Sequence, residues 1–166
     1  MSQFAAATAG FINIYPLGYR HKFTGAYLKE YFMTPSDIEK LQHSFGTMVP
    51  KKDQIAETFY RRLFEVAPGV RPLFKGSIEE QGQKLVMALK QIVMSLKSPK
   101  ELTDFLTNLS QRHVGYGAVA AHYPVVGEVL LATFAEVMGD DFTPELKELW
   151  ATAYGAVSDA MISAAA

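Results

Sequence analysis

From residue 34 onward, apolar side chains recur three and four positions apart between clear stop signals, the spacing of amphipathic helices. Thr34 as N-cap, Pro35 at the first helical position and Asp37 in the first turn open a helix carrying Ile38, Leu41 and Phe45, which ends near Pro50. A second runs from about Asp53 to Val66 and stops at Pro68-Gly69, after which the stretch PGVRPLF makes a short turn. A long helix then spans about Ser77 to Leu96, and Ser98-Pro99 opens another reaching His113, halted by Gly115-Tyr116-Gly117. The next covers about Ala120 to Val137 with Pro124 near its first turn; Gly139-Asp140-Asp141 breaks it, and Thr143-Pro144-Glu145 starts the last. No stretch alternates as a strand does and no repeat period appears, so the predicted fold class is all-α.

Residues 1–32 break this pattern, holding eight of the twenty aromatics and a single acid, Glu30. Phe11, Tyr15, Tyr19, Phe23, Tyr27 and Tyr31 recur every fourth residue, but Pro16, Gly18 and Gly25 oppose one continuous helix. Two readings stand: a segment upstream of the domain, since MTPSDIEKL has the form of a natural start, or an aromatic pre-helix packing on the domain or on a second subunit. The expected organisation is an extension over 1–33 and one domain over 34–166, a size at which a chain buries roughly two-thirds of its surface.

Composition narrows the function classes. Hydrophobic residues make up 49% and charged residues 20%, the balance of a soluble globular chain. Lys+Arg 16 against Asp+Glu 17 leaves a net charge of -1, with no basic footprint for nucleic acid, and no apolar run approaches the roughly 18 residues of a membrane span. The absence of Cys removes disulfides, thiolate metal sites and Cys nucleophiles together. The N-terminus lacks the basic start and unbroken apolar run of a signal peptide, and the expected location is cytoplasmic.

Three polar side chains lie in apolar stripes, where burial costs about 1–3 kcal/mol unless a partner is found. Leu102, Leu106 and Leu109 lead at the next helical step to His113; Gln81 stands between Ile78 and Leu85; and Tyr60 shares a face with Ala56, Leu63 and Phe64. Each alone is ordinary: a satisfied core His, a boundary Gln, a buried Tyr. Together, a lone imidazole with no carboxylate or second His beside it does not make a tetrahedral metal centre. It suits haem iron, which brings four nitrogens and asks the protein for one axial ligand. Met87, Met94, Met138 and Met161 read as adaptable core filler, Trp150 as a packing or interface residue, and His122 as a solvated helix-start residue.

Phe59-Tyr60, VRPLF at 70–74, Gln81 four residues before Leu85, RHVGYG at 112–117, HYPVVGE at 122–128 and WATAYG at 150–155 occur in one order. In that order the chain resembles bacterial single-domain globins of the Vitreoscilla haemoglobin and flavohaemoglobin type, thermoglobins included, over about 34–166. The resemblance implies a three-over-three helical sandwich and haem b, with His113 as the iron ligand and Phe74 as the aromatic that wedges the haem. It makes Tyr60 and Gln81 the distal polar pair, Leu85 the apolar wall, and Tyr123 the tyrosine beside the ligand imidazole. The glutamate that completes a His–Tyr–Glu relay in that family falls on Ala165 here, and Asp159 lies about 120° off its face. A weaker electron push and modest peroxidase activity are therefore expected.

The implied function is reversible, high-affinity binding of O₂, with NO and CO as further ligands, in oxygen transport or in nitric oxide dioxygenation. A Tyr60 hydroxyl and a Gln81 amide aimed at O₂ are expected to slow its release roughly ten- to a hundredfold per donor, since hydrogen bonds to a polarised acceptor bring about 1.5–3 kcal/mol each. These residues contain no G-x-G-x-x-G after a strand, so the electron donor is expected to be a separate reductase. The alternative is a haem-based gas sensor signalling through a partner protein, with residues 1–32 supporting a homodimer.

Overall fold

The structure, a computed structural model, describes residues 12–13 and 32–166. Six α-helices account for most of these: α1 (Pro35–Met48), α2 (Lys52–Val66), α3 (Ile78–Ser95), α4 (Pro99–Gly115), α5 (His122–Met138) and α6 (Pro144–Ala165). Single 3₁₀ turns lie at Val49–Lys51, Pro68–Leu73 and Gly139–Asp141. The one departure from the all-helical reading is a two-residue antiparallel ladder, β1 (Ile12–Asn13) with β2 (Phe32–Met33), in which Ile12 faces Met33 and Asn13 faces Phe32. A ladder of two residues is too short for alternation to register. The aromatic repeat from Tyr15 to Tyr31 lies outside the described residues, as does Phe11.

Local chemistry sets the helix starts. Thr34 accepts from the Asp37 N–H while Asp37 accepts from the Thr34 N–H, and Ser77 and Glu80 form the same reciprocal box at α3. Ser98 makes no side-chain cap, so α4 starts on Pro99 without one. α5 begins two residues later than expected and is likewise uncapped, with Ala121 at its N-cap position.

α3 lies between α1 and α4 in one layer, α5 between α2 and α6 in the other, and the layers meet where α2 crosses α3, α4 runs against α6 and α1 against α6. Met33, Ile38, Leu41, Leu63, Val93, Leu96, Leu102, Leu106 and Phe134 form the fully enclosed centre. Trp150 belongs to this interior: its ring stands 4.9 Å from that of Phe134, and its Nε1 donates to Ser44 Oγ at 3.0 Å. Met138 and Met161 are core as expected, but Met87 and Met94 are 71% and 51% exposed. Both sit on the outward face of α3, which spacing alone does not separate from the inner one.

The α2–α3 crossing is close because Gly82 has no side chain. A Cβ there would lie 2.5 Å from the Ala56 Cβ, inside any real carbon contact. Within the second layer, Arg61 and Arg62 of α2 both donate to Glu136 of α5, forming an exposed clip.

Gly82→Ala is expected to destabilise the chain by about 1–3 kcal/mol through overpacking, despite its better helix propensity. Adding Ala56→Gly removes the clashing atom and should restore most of the loss; urea unfolding of the two single variants and the double variant measures both.

Candidate functional site

On α2, Ala56 fixes the crossing and Tyr60 follows one turn later, only 3% exposed. Its hydroxyl donates to the main-chain carbonyl of Gln81 at 3.1 Å, the residue just before Gly82 on α3. Burial pushes the Tyr60 pKa far above its usual value, so the group is a neutral hydrogen-bond donor. Phe74, just after the 3₁₀ turn at 68–73, stands edge-on to both Tyr60 (5.4 Å) and Phe64 (5.5 Å). Arg71 lies over the outer face of Phe64 at 4.7 Å.

Tyr60, Phe74 and Gln81 thus come together, but not through the Gln81 side chain. Its Nε2 donates to the main-chain carbonyl of Lys75, so the amide is turned to the loop that precedes α3. Leu85, one turn after Gln81, is half-buried and packs against the core.

The second cluster is at the end of α4. His113 is half-buried, and its Nδ1 lies 2.8 Å from the Leu109 carbonyl one turn back. A carbonyl only accepts, so Nδ1 carries the proton and Nε2 keeps a free lone pair. Burial lowers the His113 pKa; the Leu109 carbonyl opposes this, and the Arg112 charge adds to it. Tyr123, in the first turn of α5, stacks on the imidazole at 6.4 Å with 29° between planes, and Tyr116 stands on another side at 6.3 Å. The Tyr123 hydroxyl has no hydrogen bond among the described residues. Ala165 is exposed at the end of α6, and Glu57 and Glu128 are exposed as well. His122 is half-buried, its Nδ1 accepting from the Val119 N–H at 3.3 Å.

The loops carrying the two clusters touch. Gly117 has φ of +91°, and a Cβ there would sit 3.2 Å from a Leu73 methyl, so the turn after His113 closes on the turn before Phe74. Among the described residues, no three of His, Asp and Glu gather as a metal site. The metal-binding capacity of this region is a single imidazole Nε2 among apolar side chains.

Residues 57–161 match the Globin family profile, which is more than half of the chain. The chain belongs to the globin family. Among curated relatives, the flavohemoprotein of Chromobacterium violaceum is 36% identical over 107 residues, 63% of this globin and 26% of that protein. The flavohemoprotein of Deinococcus radiodurans is 27% identical over 133 residues, 78% of this globin and 33% of that protein. This globin therefore spans about a quarter to a third of the length of these relatives. Among solved structures it is similar to an engineered carbene transferase described as a candidate nitric oxide dioxygenase from Rhodothermus marinus. That match has a TM-score of 0.72 and 28% identity, covering 80% of this chain and 93% of the other. A bacterial globin from Campylobacter jejuni shares the fold, with a TM-score of 0.70, 23% identity, and 80% and 96% of the two chains covered. The three-over-three helical sandwich is thus the observed fold. Among the described residues, no helix is long and apolar enough to cross a membrane.

Two contributors escaped the reading of the sequence. Gly82 drew no attention in the sequence, yet it is what lets Tyr60 reach the Gln81 carbonyl. Tyr154 was only a landmark in a motif, yet its hydroxyl donates to the main-chain carbonyl of Tyr123 at 2.6 Å. A lone buried tyrosine carries no sequence signal of its partner.

The lowered His113 pKa fixes a pH dependence. The unfolded chain takes up this proton near the ordinary value of 6.5 and the folded globin only below it, so stability falls as pH drops through that window. In urea unfolding of the metal-free globin from neutral pH downward, His113→Gln should show a shallower fall than the parent chain.

Proposed function

We propose that this globin binds haem b through His113 Nε2 and takes up O₂, NO and CO on the side of Tyr60, in oxygen binding and transport of the thermoglobin kind. The observation that carries this reading is the His113 tautomer: Nδ1–H is held by the Leu109 carbonyl, leaving Nε2 as a lone-pair donor. One imidazole beside half-buried apolar residues fits a macrocycle that brings its own nitrogens, and does not fit a tetrahedral ion site. Phe74, Leu85 and Tyr123 would pack against it. When bound, the haem would supply reversible binding of a diatomic gas.

Tyr60 then acts as the distal donor, but its hydroxyl starts on the Gln81 carbonyl, so a gas ligand must compete for that proton. A hydrogen bond to a polarised acceptor brings about 1.5–3 kcal/mol and one to a neutral carbonyl about 0.5–1.5, so O₂ gains the difference, about 1–1.5 kcal/mol. The Gln81 amide reaches the ligand side only after leaving the Lys75 carbonyl, which makes it the lesser donor. Nitric oxide dioxygenation is the proposed use of O₂ held in this way, supported by the likeness to flavohemoproteins and to the Rhodothermus protein. A separate reductase, in the same cytoplasmic compartment, supplies the electrons.

The purified chain, reduced with dithionite and exposed to O₂, should show a haem Soret band that shifts to a stable oxygenated form; no haem uptake on reconstitution ends this reading. Tyr60→Phe should speed O₂ release about tenfold in stopped-flow measurements and change CO release less. An unchanged O₂ off-rate removes Tyr60 from the mechanism.

A further inference from the structure

Arg71 is an exposed cation whose guanidinium makes no hydrogen bond or ion pair among the described residues. What it does meet is an aromatic face: its Cζ stands 4.7 Å from the centre of the Phe64 ring. A guanidinium in that place is held by the ring quadrupole and by stacking of its own plane, the second of which an ammonium lacks. The main chain of Arg71 is engaged as well. Its carbonyl accepts from the Phe74 N–H at 3.1 Å, the bond that ends the 3₁₀ turn and releases Phe74 in an extended conformation, with φ of −96° and ψ of 104°.

The two rings that Arg71 engages are those set against Tyr60. Phe64 lies 5.8 Å from the Tyr60 ring at 33° and Phe74 5.4 Å from it at 71°, while the two phenylalanines meet at 5.5 Å and 68°. Each of the three rings therefore touches the other two. Phe64 is half-buried and follows Tyr60 by one turn of α2, with the exposed Arg71 as its cover. Phe74 comes from a loop and has no helix to fix it. One residue thus holds one ring through its side chain and the other through its carbonyl, and the phenol between them is tied at its tip to the Gln81 carbonyl.

We infer that Arg71 is a positioning residue for Tyr60: its guanidinium holds Phe64 against the phenol ring and so limits how the hydroxyl turns from the Gln81 carbonyl toward a bound gas. A gas that takes up the Tyr60 hydrogen bond feels this restraint, and one that does not is indifferent to it. The effect on gas release rests on the haem reading, but the three-ring contact exists without haem and is tested in the metal-free chain as well.

The test compares Arg71→Met, which keeps an apolar stem and removes the cation, with Arg71→Lys, which keeps the cation; both leave the main-chain bond to Phe74 in place. In the metal-free globin, proton NMR should show the Arg71 Cδ protons of the parent chain shifted upfield by the Phe64 ring. The Tyr60 ring protons should move in Arg71→Met and move less in Arg71→Lys. In the haem-reconstituted globin, O₂ release should speed about two- to fivefold in Arg71→Met, the range set by an exposed cation–π contact, and less in Arg71→Lys, with CO release unchanged. Neither readout should respond to Arg71→Met in a chain already carrying Phe64→Leu, as a thermodynamic cycle requires of a residue acting through Phe64. Unshifted Cδ protons, unmoved Tyr60 signals, an equal change for both gases, or a full response in the Phe64→Leu background overturn the assignment. So does Arg71→Lys departing as far as Arg71→Met. Tyr60 signals that move as expected in a chain that takes up no haem overturn the haem reading and leave the positioning of Tyr60 standing.

Discussion

The Tyr60 half of the candidate site depends on one missing carbon atom. Because Gly82 has no Cβ, α3 comes down on Ala56 until the two backbones are as near as the Ala56 methyl allows. Tyr60 follows Ala56 by one turn and Gln81 precedes Gly82 by one residue, so the same approach brings the phenol to the Gln81 carbonyl. Phe74 and Phe64 then fill the remaining sides of the tyrosine ring. A hydroxyl this deeply buried must have a partner, and the crossing supplies one from the backbone of the opposing helix.

The His113 half is built on a different principle. His113 is aligned by its own helix, through the Leu109 carbonyl one turn back, and needs no neighbour to fix its tautomer. Its neighbours decide how the ring sits. Tyr123 and Tyr116 flank it from α5 and from the end of α4, and the turn at Gly117 closes against Leu73 on the other loop. The two halves are thus joined at their loops, while α6 is tied to α4 and α5 by hydrogen bonds to main-chain carbonyls.

Much of this was legible in the residues. The helix starts at Thr34, Ser77 and Thr143 were visible because capping is local chemistry, and the observed helices begin where those residues direct. Tyr60, Gln81 and His113 were visible because a polar residue in an apolar stripe stands out at helical spacing. The destination of their hydrogen bonds was not visible. Tyr60 and Gln81 read as two donors facing one ligand, but the Tyr60 hydroxyl meets a carbonyl of the opposite helix and the Gln81 amide meets the loop at Lys75. Such partners are main-chain atoms with no residue identity, and they are fixed by how closely helices approach. For the same reason neither the role of Gly82 nor that of Tyr154 could be found, and Met87 could not be told from a core methionine.

These occupied donors bear on how the proposed site ranks its gases. A free donor would strengthen every ligand to some degree, polar or not. A donor already bonded to a carbonyl strengthens only a ligand that is a better acceptor than the carbonyl, because moving the proton otherwise gains nothing. O₂ bound as proposed would be a strongly polarised acceptor and would pass that threshold; CO, far less polar, would not. In that reading the Tyr60–Gln81 bond would lower the gain available to O₂ and withhold nearly all of it from CO. It also gives the buried hydroxyl a partner when no gas is present, which removes the penalty of about 1–3 kcal/mol for an unsatisfied group. Discrimination and stability then come from the same contact, and both trace back to the space left by Gly82.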